Sequence, residues 1–261
     1  MHLTIGVTGH RDLVADEVPL LKQAVRNFLL RLRREFPDLD LQLITPLAEG
    51  SDQLVTEVAL ELGIALIVPL PMPQAEYEKD FSSPAAVDAF RRALAKARII
   101  HLRTLPAEHA GPVTMADRDR QYAQLGIFIS NHSQILLTIW DGKPSTAIGG
   151  TASVVNYHLT AVMPGYSFAE DSPNLLADNE NDLAYHIVCS RDRFDGKPQE
   201  GLEPLQASWV TAHFTQQSGE HMPLDYEVMM HRLQDFSRDA IKYQDLIREE
   251  GANLLENAPD L

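Results

Sequence analysis

Ile139-Trp-Asp-Gly-Lys-Pro-Ser-Thr-Ala-Ile-Gly-Gly-Thr151 is the stretch that decides the fold, because it joins a strand to a helix through two glycines. The strand, Ile135–Trp140, consists of β-branched and large apolar residues, which is typical of the middle of a sheet. Gly149 and Gly150 let the backbone approach a ligand, and a helix beginning near Thr151 points its first N–H groups toward an anion. The stretch predicts either a phosphate site or an ordinary strand-to-helix turn.

Strands and helices alternate from this stretch back to the start of the chain. The residues preceding it predict four further strands: Leu3–Thr8, Leu39–Pro46, Ala65–Leu70 and Ile99–Leu102. An amphipathic helix is predicted between most pairs of successive strands. Such alternation is typical of an α/β fold whose sheet is mainly parallel and doubly wound, with helices on both faces. Ligands of such sheets bind at the edge of the sheet where the carboxyl ends of the strands lie.

Polar residues beside the helical runs predict where helices begin. Asp16 is expected to cap the first helix, Ser51 or Asp52 the second, and Ser83 the helix that follows Pro84. Thr151 is expected either to cap its helix or to bind a phosphate oxygen. The segment 76–81 resembles a lid, and the loop 103–115 is the second segment expected to move when a ligand binds.

The C-terminal part differs from the rest in pattern. Tyr185–Cys189 predicts one more strand, placed at the edge of the sheet, between loops at 165–182 and 191–205. Apolar residues at spacings of four and three then run from Met229 to Ile247 and predict a C-terminal helix. This helix is expected either to pack on the sheet domain or to pair with a second copy in a homo-oligomer.

Composition narrows the classes of function. With 22 basic and 37 acidic residues the net charge is −15, which disfavours nucleic-acid binding because the phosphate backbone is repelled. The single cysteine, Cys189, excludes an intramolecular disulfide and suits a cytoplasmic location. No apolar run is long enough to span a membrane, and the histidines show no paired metal-ligand spacing. Neither a metal nor a cofactor is predicted.

Three segments taken together resemble the SLOG superfamily. They are Ile5-Gly-Val-Thr-Gly-His-Arg11, the run from Pro46 to Leu60 containing Leu-Ala-Glu-Gly-Ser-Asp, and the loop from Asp141 to Thr151. This superfamily has a Rossmann-like domain shared by the DNA-processing protein of bacterial transformation and the LOG phosphoribohydrolases. The segments look most like its branch of bacterial conflict systems and TRPM-like sensors. The resemblance covers roughly residues 3 to 165.

We expect the chain to form a Rossmann-like nucleotide-binding domain over residues 1–205 and a C-terminal helical extension over 206–261. The resemblance implies a pocket for a nucleotide or nucleotide sugar, formed by three loops that converge on one crevice. The expected binding residues are Gly9, His10, Arg11, Glu49, Gly50, Ser51, Asp52, Asp141, Gly149, Gly150 and Thr151. Arginine and the glycine turn suit phosphate, while carboxylates suit ribose hydroxyls.

Simpler interpretations remain for several of these residues. Arg11 can pair with Asp12 on the surface, Asp52 can serve only as a helix cap, and Glu49 can be solvated at a loop tip. His10 can be a packed turn residue.

Three functions follow from the resemblance. The first is a nucleotide-binding sensor of a bacterial signalling or defence system. The second is an N-glycosidase that hydrolyses nucleoside monophosphates, for which Glu49 and Asp141 are the catalytic candidates. In the hydrolases, however, glutamates follow the glycine turn, whereas here Ala152, Ser153 and Val154 follow Thr151. The third, single-stranded DNA binding, needs a cationic track with aromatic residues interleaved, and no such run is present.

Overall fold

The computed structural model describes residues 1–105, 114–166, 182–212 and 217–256. Most of the two loops predicted at 106–114 and 165–182 lies outside the described residues.

A single sheet forms the centre of the molecule. Its eight strands are β1 (His2–Gly9), β2 (Asp40–Ile44), β3 (Ala65–Leu70), β4 (Arg98–His101), β5 (Ile135–Trp140), β6 (Ala184–Val188), β7 (Ala207–Val210) and β8 (Gln217–Ser218), in the order β4-β3-β2-β1-β5-β6-β7-β8. The first six strands pair in parallel, and β7 and β8 pair antiparallel. The chain is thus an α/β protein with a Rossmann-like sheet, as the alternating pattern predicts.

Helices cover both faces of the sheet. They are α1 (Val18–Glu35), α2 (Ser51–Glu61), α3 (Gln74–Tyr77), α4 (Pro84–Leu94), α5 (Met115–Asn131), α6 (Thr151–Thr160) and α7 (Leu224–Glu256), with a 3-10 turn at Glu78–Asp80. In α1 the predicted stripe is buried at Leu21, Val25, Phe28 and Leu32, where it packs with α2 against one face. The helices α5 and α6 bury Ile129, Val154 and other apolar residues in a second cluster.

Two of the predicted helix caps are wrong and one is confirmed. The N-terminal residue of α1 is flanked by Glu17 rather than Asp16, and no side chain caps this helix. The residue before α2 is Gly50, because its φ of 82° makes a turn that only glycine adopts easily, so neither Ser51 nor Asp52 caps that helix. Ser83 does cap α4, since its hydroxyl accepts a hydrogen bond from the backbone N–H of Ala86.

The C-terminal part of the sheet departs from the prediction. β6 is not an edge strand, because β5 and β7 pair with its two sides and every residue of it is buried. β7 and β8 lie beyond residue 205 and still belong to the sheet, so the sheet continues past the predicted domain boundary. The signal was weak because β7 has four residues and β8 two.

α7 packs on the sheet domain along a face that includes Met229 and Leu233 of the predicted seam but not its later residues Phe236 and Tyr243. Met230, Gln234 and Ser237 are buried, whereas Phe236 and Tyr243 of the seam are 63% and 67% exposed. The buried polar residues explain the difference, because an apolar pattern cannot identify positions where glutamine and serine turn inward. No helix in the described part of the chain is long and apolar enough to cross a membrane.

Candidate functional site

A crevice opens where β1 and β5 end side by side. These two strands lie at the centre of the sheet, and the chain leaves them toward opposite sides, which is the position where ligands bind in open α/β sheets. The crevice has a volume of about 470 Å³. That volume lies within the range of small-molecule sites. Loops after β1, β5 and β6 and the helices α5 and α6 contribute its walls.

The loop after β1 is locked to the start of α2. The N–H of His10 donates to the carbonyl of Ile139 at 3.0 Å, and both the N–H and the hydroxyl of Ser51 donate to the carbonyl of His10, at 3.0 and 2.7 Å. A Cβ on Gly9 would lie 2.5 Å from the side chain of Ser51. Gly9 therefore permits close packing of two protein loops, and Ser51 is consumed in holding them together.

His10 and Asp141 form a close pair inside the crevice. His10 Nε2 lies 2.9 Å from Asp141 Oδ1, although the approach is poorly aligned for a hydrogen bond. Asp141 is only 1% exposed, and Oδ1 accepts a hydrogen bond from the N–H of Lys143 at 3.1 Å. Burial lowers the pKa of His10 below its ordinary value of 6.5, and the opposing effect of Asp141 does not cancel this. At neutral pH His10 is therefore mainly uncharged, which leaves the Asp141 carboxylate without a full counter-charge from this ring.

Arg11 points into the crevice and does not pair with Asp12. Its guanidinium lies 5.7 Å from the centre of the Tyr122 ring and donates to the carbonyl of Asp80 at 3.2 Å. Asp12 instead pairs with Arg191, whose Nε lies 2.9 Å from its Oδ1. The aromatic ring and the carbonyl hold the guanidinium in place without a bidentate carboxylate, so its remaining N–H groups can donate to an anion.

The segment predicted to be lid-like forms one wall of the crevice and is tied down at Asp80. The carboxylate of Asp80 accepts hydrogen bonds from the hydroxyl of Tyr122 and from Nη2 of Arg118, the latter at 2.6 Å. Tyr77 of the same segment is fully buried between Phe81 and Phe90. In the described structure this segment is therefore a packed part of the wall.

The floor of the crevice carries two buried polar groups. The hydroxyl of Tyr77 has no hydrogen-bond partner in the described structure. Asp52 is 4% exposed, and one of its oxygens accepts from the N–H of Ala48 at 3.2 Å. Burial raises the pKa of Asp52 to about 7, although the Ala48 N–H, Arg11 and Thr45 oppose the shift. The floor thus offers an unpaired hydroxyl and a carboxyl group that exists in both protonation states near neutral pH.

The N-terminus of α6 faces the crevice with its N–H groups free. The residue before the helix is Gly150, no side chain caps the helix, and Val154 is the first residue whose N–H bonds back, to the carbonyl of Gly150. The backbone N–H groups of Thr151, Ala152 and Ser153 have no acceptor among the described residues. Three converging N–H groups at the positive end of a helix form an anion site.

The N-terminus of α2 differs, because the protein itself occupies it. The N–H of Ser51 is bonded to His10, and that of Gln53 donates to the carbonyl of Ala48 at 3.2 Å. Of the two helix N-termini that the sequence predicts as anion sites, the structure therefore leaves only that of α6 available to an anion.

Of the eleven residues predicted to bind the ligand, eight line the crevice. They are Gly9, His10, Arg11, Asp52, Asp141, Gly149, Gly150 and Thr151. Glu49 and Gly50 instead line a separate cavity next to α2 and α4, and Ser51 is buried behind Gly9. Arg11 and Thr151 thus converge on one crevice, whereas Ser51 supports it from behind.

Sequence reasoning missed several residues of the crevice. They are Asp12, Tyr77, Tyr122, Trp140, Lys143, Arg191 and Arg193. The position of Arg191 and Arg193 directly after β6 was a usable signal, because β6 is parallel to β5 and ends at the same edge of the sheet. Tyr122 gave no signal because it lies in a helical pattern that is typical of the core, whereas Tyr77 lies in the segment that the sequence predicts to be a lid.

The crevice is more cationic than the protein as a whole. Among the described residues, four cations and three carboxylates line it: Arg11, Lys143, Arg191 and Arg193, and Asp12, Asp52 and Asp141. This balance contrasts with the net charge of −15 for the chain. An anionic ligand thus meets a locally favourable field on a protein that otherwise repels it.

Comparison with known proteins extends to the fold. No protein-family model matches the sequence, and no curated protein matches it. Among solved structures, DNA processing protein A from Streptococcus pneumoniae is 10% identical with a TM-score of 0.38, over 59% of this chain and 45% of that chain. DNA processing protein A from Helicobacter pylori, in a structure that concerns its single-stranded DNA binding mode, is 12% identical with a TM-score of 0.36, over 60% and 61%.

The chain therefore spans about half the length of these two proteins. With TM-scores below 0.5, the likeness says nothing about the ligand of this chain. Function has to be argued from the site.

Proposed function

We propose that the crevice binds a nucleotide or a nucleotide sugar, with a phosphate group at the N-terminus of α6. The observation that carries this proposal is the uncapped start of α6, where the N–H groups of Thr151, Ala152 and Ser153 are free and where Thr151 and Ala152 line the same crevice as Arg11. An uncapped helix start leaves donors unsatisfied, and a phosphate satisfies several of them at once. The guanidinium of Arg11 adds a charged donor that matches phosphate geometry.

The rest of the crevice suits the sugar and base of such a ligand. The hydroxyl of Tyr77 and the carboxyl of Asp52 can exchange hydrogen bonds with ribose hydroxyls, and neither is fully engaged by the protein. Tyr122 and Trp140 present aromatic rings to the crevice. Aromatic rings of this kind stack on nucleobases in many sites. The phosphate, ribose and base of a nucleotide would therefore each find a suitable partner in the crevice.

A binding domain explains the site better than a hydrolase does. Two of the three carboxylates of the crevice have a close partner in the protein: Asp12 pairs with Arg191, and Oδ1 of Asp141 accepts a hydrogen bond from the N–H of Lys143. Glu49, the other catalytic candidate, lines a different cavity and accepts hydrogen bonds from Ser82. We therefore favour a sensor that holds a nucleotide-derived signal, of the kind implied by the resemblance to TRPM-like domains.

The N–H groups of α6 can be tested with one substitution. Thr151→Pro removes the N–H at the first position of the helix, where proline fits because Gly150 before it is extended. Thr151→Ala removes the hydroxyl and keeps the N–H, and serves as the matched control. We expect AMP or ADP-ribose, measured by calorimetry, to bind roughly tenfold more weakly to Thr151→Pro than to Thr151→Ala. Equal affinities would contradict the proposal.

N-glycoside hydrolysis is a second candidate, favoured by the proximity of Asp141 and His10. A buried carboxylate next to a neutral imidazole can activate water if the sugar carbon lies beside it. Release of free base from AMP that disappears in Asp141→Asn would support this reaction. Binding of AMP without release of adenine would support the sensor.

Single-stranded DNA is a third candidate ligand, favoured by Lys143 and Arg193 at the rim of the crevice. Arg193 is 44% exposed and lies 3.9 Å from Asp141, and Lys143 contacts Asp195. Both side chains can reach a phosphate backbone that passes over the opening. The salt dependence of binding separates this candidate from the first, because a DNA strand contacts more of the acidic surface than a mononucleotide does.

A further inference from the structure

We propose that the cavity between α1, α2 and α4 is a second binding site, which takes a small carboxylate ligand with an apolar body. This site shares only Arg11 with the crevice and goes beyond the function proposed above. It has a volume of about 500 Å³, and its walls come entirely from residues between 11 and 96. Several apolar side chains line it, among them Leu13, Val18, Leu54, Leu60 and Ala93.

Two cations border the cavity without a partner of their own. Arg92 and Lys96 are both exposed and lie four residues apart, at the end of α4 and just after it, so that they project from the same side. Neither side chain forms an ion pair or a hydrogen bond to any described residue. By contrast, the neighbouring Arg91 is paired with Glu78 at 2.6 Å. The charge beside the cavity is therefore available to a ligand.

The carboxylates of the cavity do not neutralise these cations. Glu57 lies 2.6 Å from Lys22 Nζ on the opposite wall. Glu49 accepts hydrogen bonds from the N–H and the hydroxyl of Ser82, at 2.9 and 2.6 Å. Both carboxylates are thus engaged elsewhere, which leaves Arg92 and Lys96, together with Arg11 where the cavity borders the crevice, as the unbalanced charges among its lining residues.

A buried hydroxyl in the wall is the second, independent observation. Thr56 of α2 is 2% exposed and lines the cavity, yet its Oγ1 has no hydrogen-bond partner among the described residues. A threonine in a helix usually bonds to a carbonyl of the preceding turn, and a buried hydroxyl without a partner is unfavourable. A ligand oxygen placed in the cavity would satisfy it.

The chemistry of the walls selects the class of ligand. Arginine presents two parallel donors that match a carboxylate, and lysine adds a point charge. The apolar side chains favour a hydrocarbon part, which inorganic phosphate and acetate lack. A short fatty acid such as octanoate has both parts and is the probe of choice.

The experiment compares octanoate with acetate and inorganic phosphate by calorimetry on the full chain. We expect octanoate to bind more tightly than either of the others. The double variant Arg92→Ala/Lys96→Ala should weaken octanoate binding roughly tenfold or more, and Thr56→Val should weaken it several-fold. The control Arg34→Ala removes an exposed arginine that does not line the cavity, and it should leave the affinity unchanged.

Thermal stability separates loss of the site from loss of the fold. Thr56→Val should melt no lower than the parent protein, because it removes a hydroxyl that has no partner. Octanoate binding that persists in the double variant, or that weakens in the crevice variant Arg193→Ala, would overturn the proposal. So would equal affinities for octanoate and acetate, or no binding of octanoate at all.

Discussion

Tyr77 is the residue whose environment departs most from what its hydroxyl requires. The ring is fully buried and packs edge-on against Phe90, with ring centres 5.6 Å apart, while the hydroxyl has no partner. Tyr77→Phe keeps the ring and removes the orphan group. We expect the free energy of unfolding to stay equal or rise by up to about 1 kcal/mol, and AMP to bind roughly tenfold more weakly. Chemical denaturation and calorimetry measure the two effects.

Tyr226→Phe is the control for this change. The hydroxyl of Tyr226 donates to the carboxylate of Asp182, so its removal should lower the free energy of unfolding by about 1 kcal/mol without affecting AMP. A destabilised Tyr77→Phe variant with unchanged affinity would show that Tyr77 is bonded within the protein and plays no part in the ligand site.

Asp52 should make the stability of the protein fall as pH rises through the neutral range. Burial raises the pKa of its carboxyl from 3.8 to about 7, so between these values the folded protein holds a proton that the unfolded chain releases. The contribution is fully present below pH 3.8 and is lost as pH rises through about 7. Its steepest slope is about 1.4 kcal/mol per pH unit.

Asp52→Asn tests this linkage, because asparagine keeps an oxygen that can accept from the N–H of Ala48. Denaturation curves at several pH values should show the variant gaining stability relative to the parent as pH rises from 5 to 8. A difference that is flat across this interval would mean that the carboxyl is ionised throughout.

Site residues can be predicted from the sequence when they come directly after a parallel strand. Arg11 and Asp141 were predicted as site residues because each comes directly after a parallel strand, and the crevice contains both. Glu49 and Ser51 also follow a strand, yet the glycine turn at Gly50 directs the first to another cavity and buries the second. Sequence alone does not specify such a turn, because φ values are set by the packing of Gly50 against Arg11.

The turn before α6 is the element on which the anion site depends. Gly149 has a φ of 72°, and a Cβ there would lie 2.6 Å from the backbone nitrogen of Ala123. Gly149→Ala should therefore destabilise the protein by well over the about 1–2 kcal/mol that the positive φ alone costs, and should weaken AMP binding because α6 shifts. Denaturation and calorimetry measure both effects.

Gly63→Ala is matched to this variant in backbone geometry. Gly63 has a φ of 69°, and nothing lies within 4 Å of a Cβ added there. The Gly63→Ala variant should lose only the part of the free energy of unfolding that comes from the positive φ, and it should keep its affinity for AMP. If the two alanine variants were equally stable, the contact between the turn and α5 would not constrain α6.

Elements with a strong local pattern were predicted well and those with a weak one were not. β3 and β5 begin and end where the apolar runs do. β6 was placed at the edge, although its five buried residues are typical of an inner strand. The neighbour that buries it, β7, has only four residues after a loop, and such a short strand becomes visible only through its pairing with β6.

At the scale of the whole molecule, net charge separates a small ligand from a polymer. A mononucleotide contacts only the cationic crevice, whereas a DNA strand also passes over a surface with net charge −15. We expect AMP binding to weaken only modestly between low salt and about 0.15 M, and a thymidine oligonucleotide not to be retained at that salt concentration. Retention of the oligonucleotide, lost in Lys143→Ala/Arg193→Ala, would favour the DNA-binding candidate instead.

The overall architecture could be predicted because alternating strands and helices leave few arrangements. The crevice at the ends of β1 and β5 follows from the parallel topology. Successive strands are added first on one side of β1 and then on the other, and ligands bind at the point where this order reverses. What the pattern left open is the continuation through β7 and β8 and the face on which α7 packs. Both depend on contacts between distant residues, such as Met230 with the cluster beneath α1.

The strand order also has a consequence for the nascent chain. β1 is synthesised before the other strands of this sheet, and it carries three buried apolar side chains, those of Leu3, Ile5 and Val7. One of its sides pairs with β2, which follows soon after, but the other side pairs with β5, which begins only at Ile135. Until β5 pairs with it, this edge of an apolar strand keeps unpaired backbone N–H and C=O groups, and such an edge can pair with a strand of another chain. Translation that pauses before residue 135 therefore leaves the protein at its most vulnerable to aggregation.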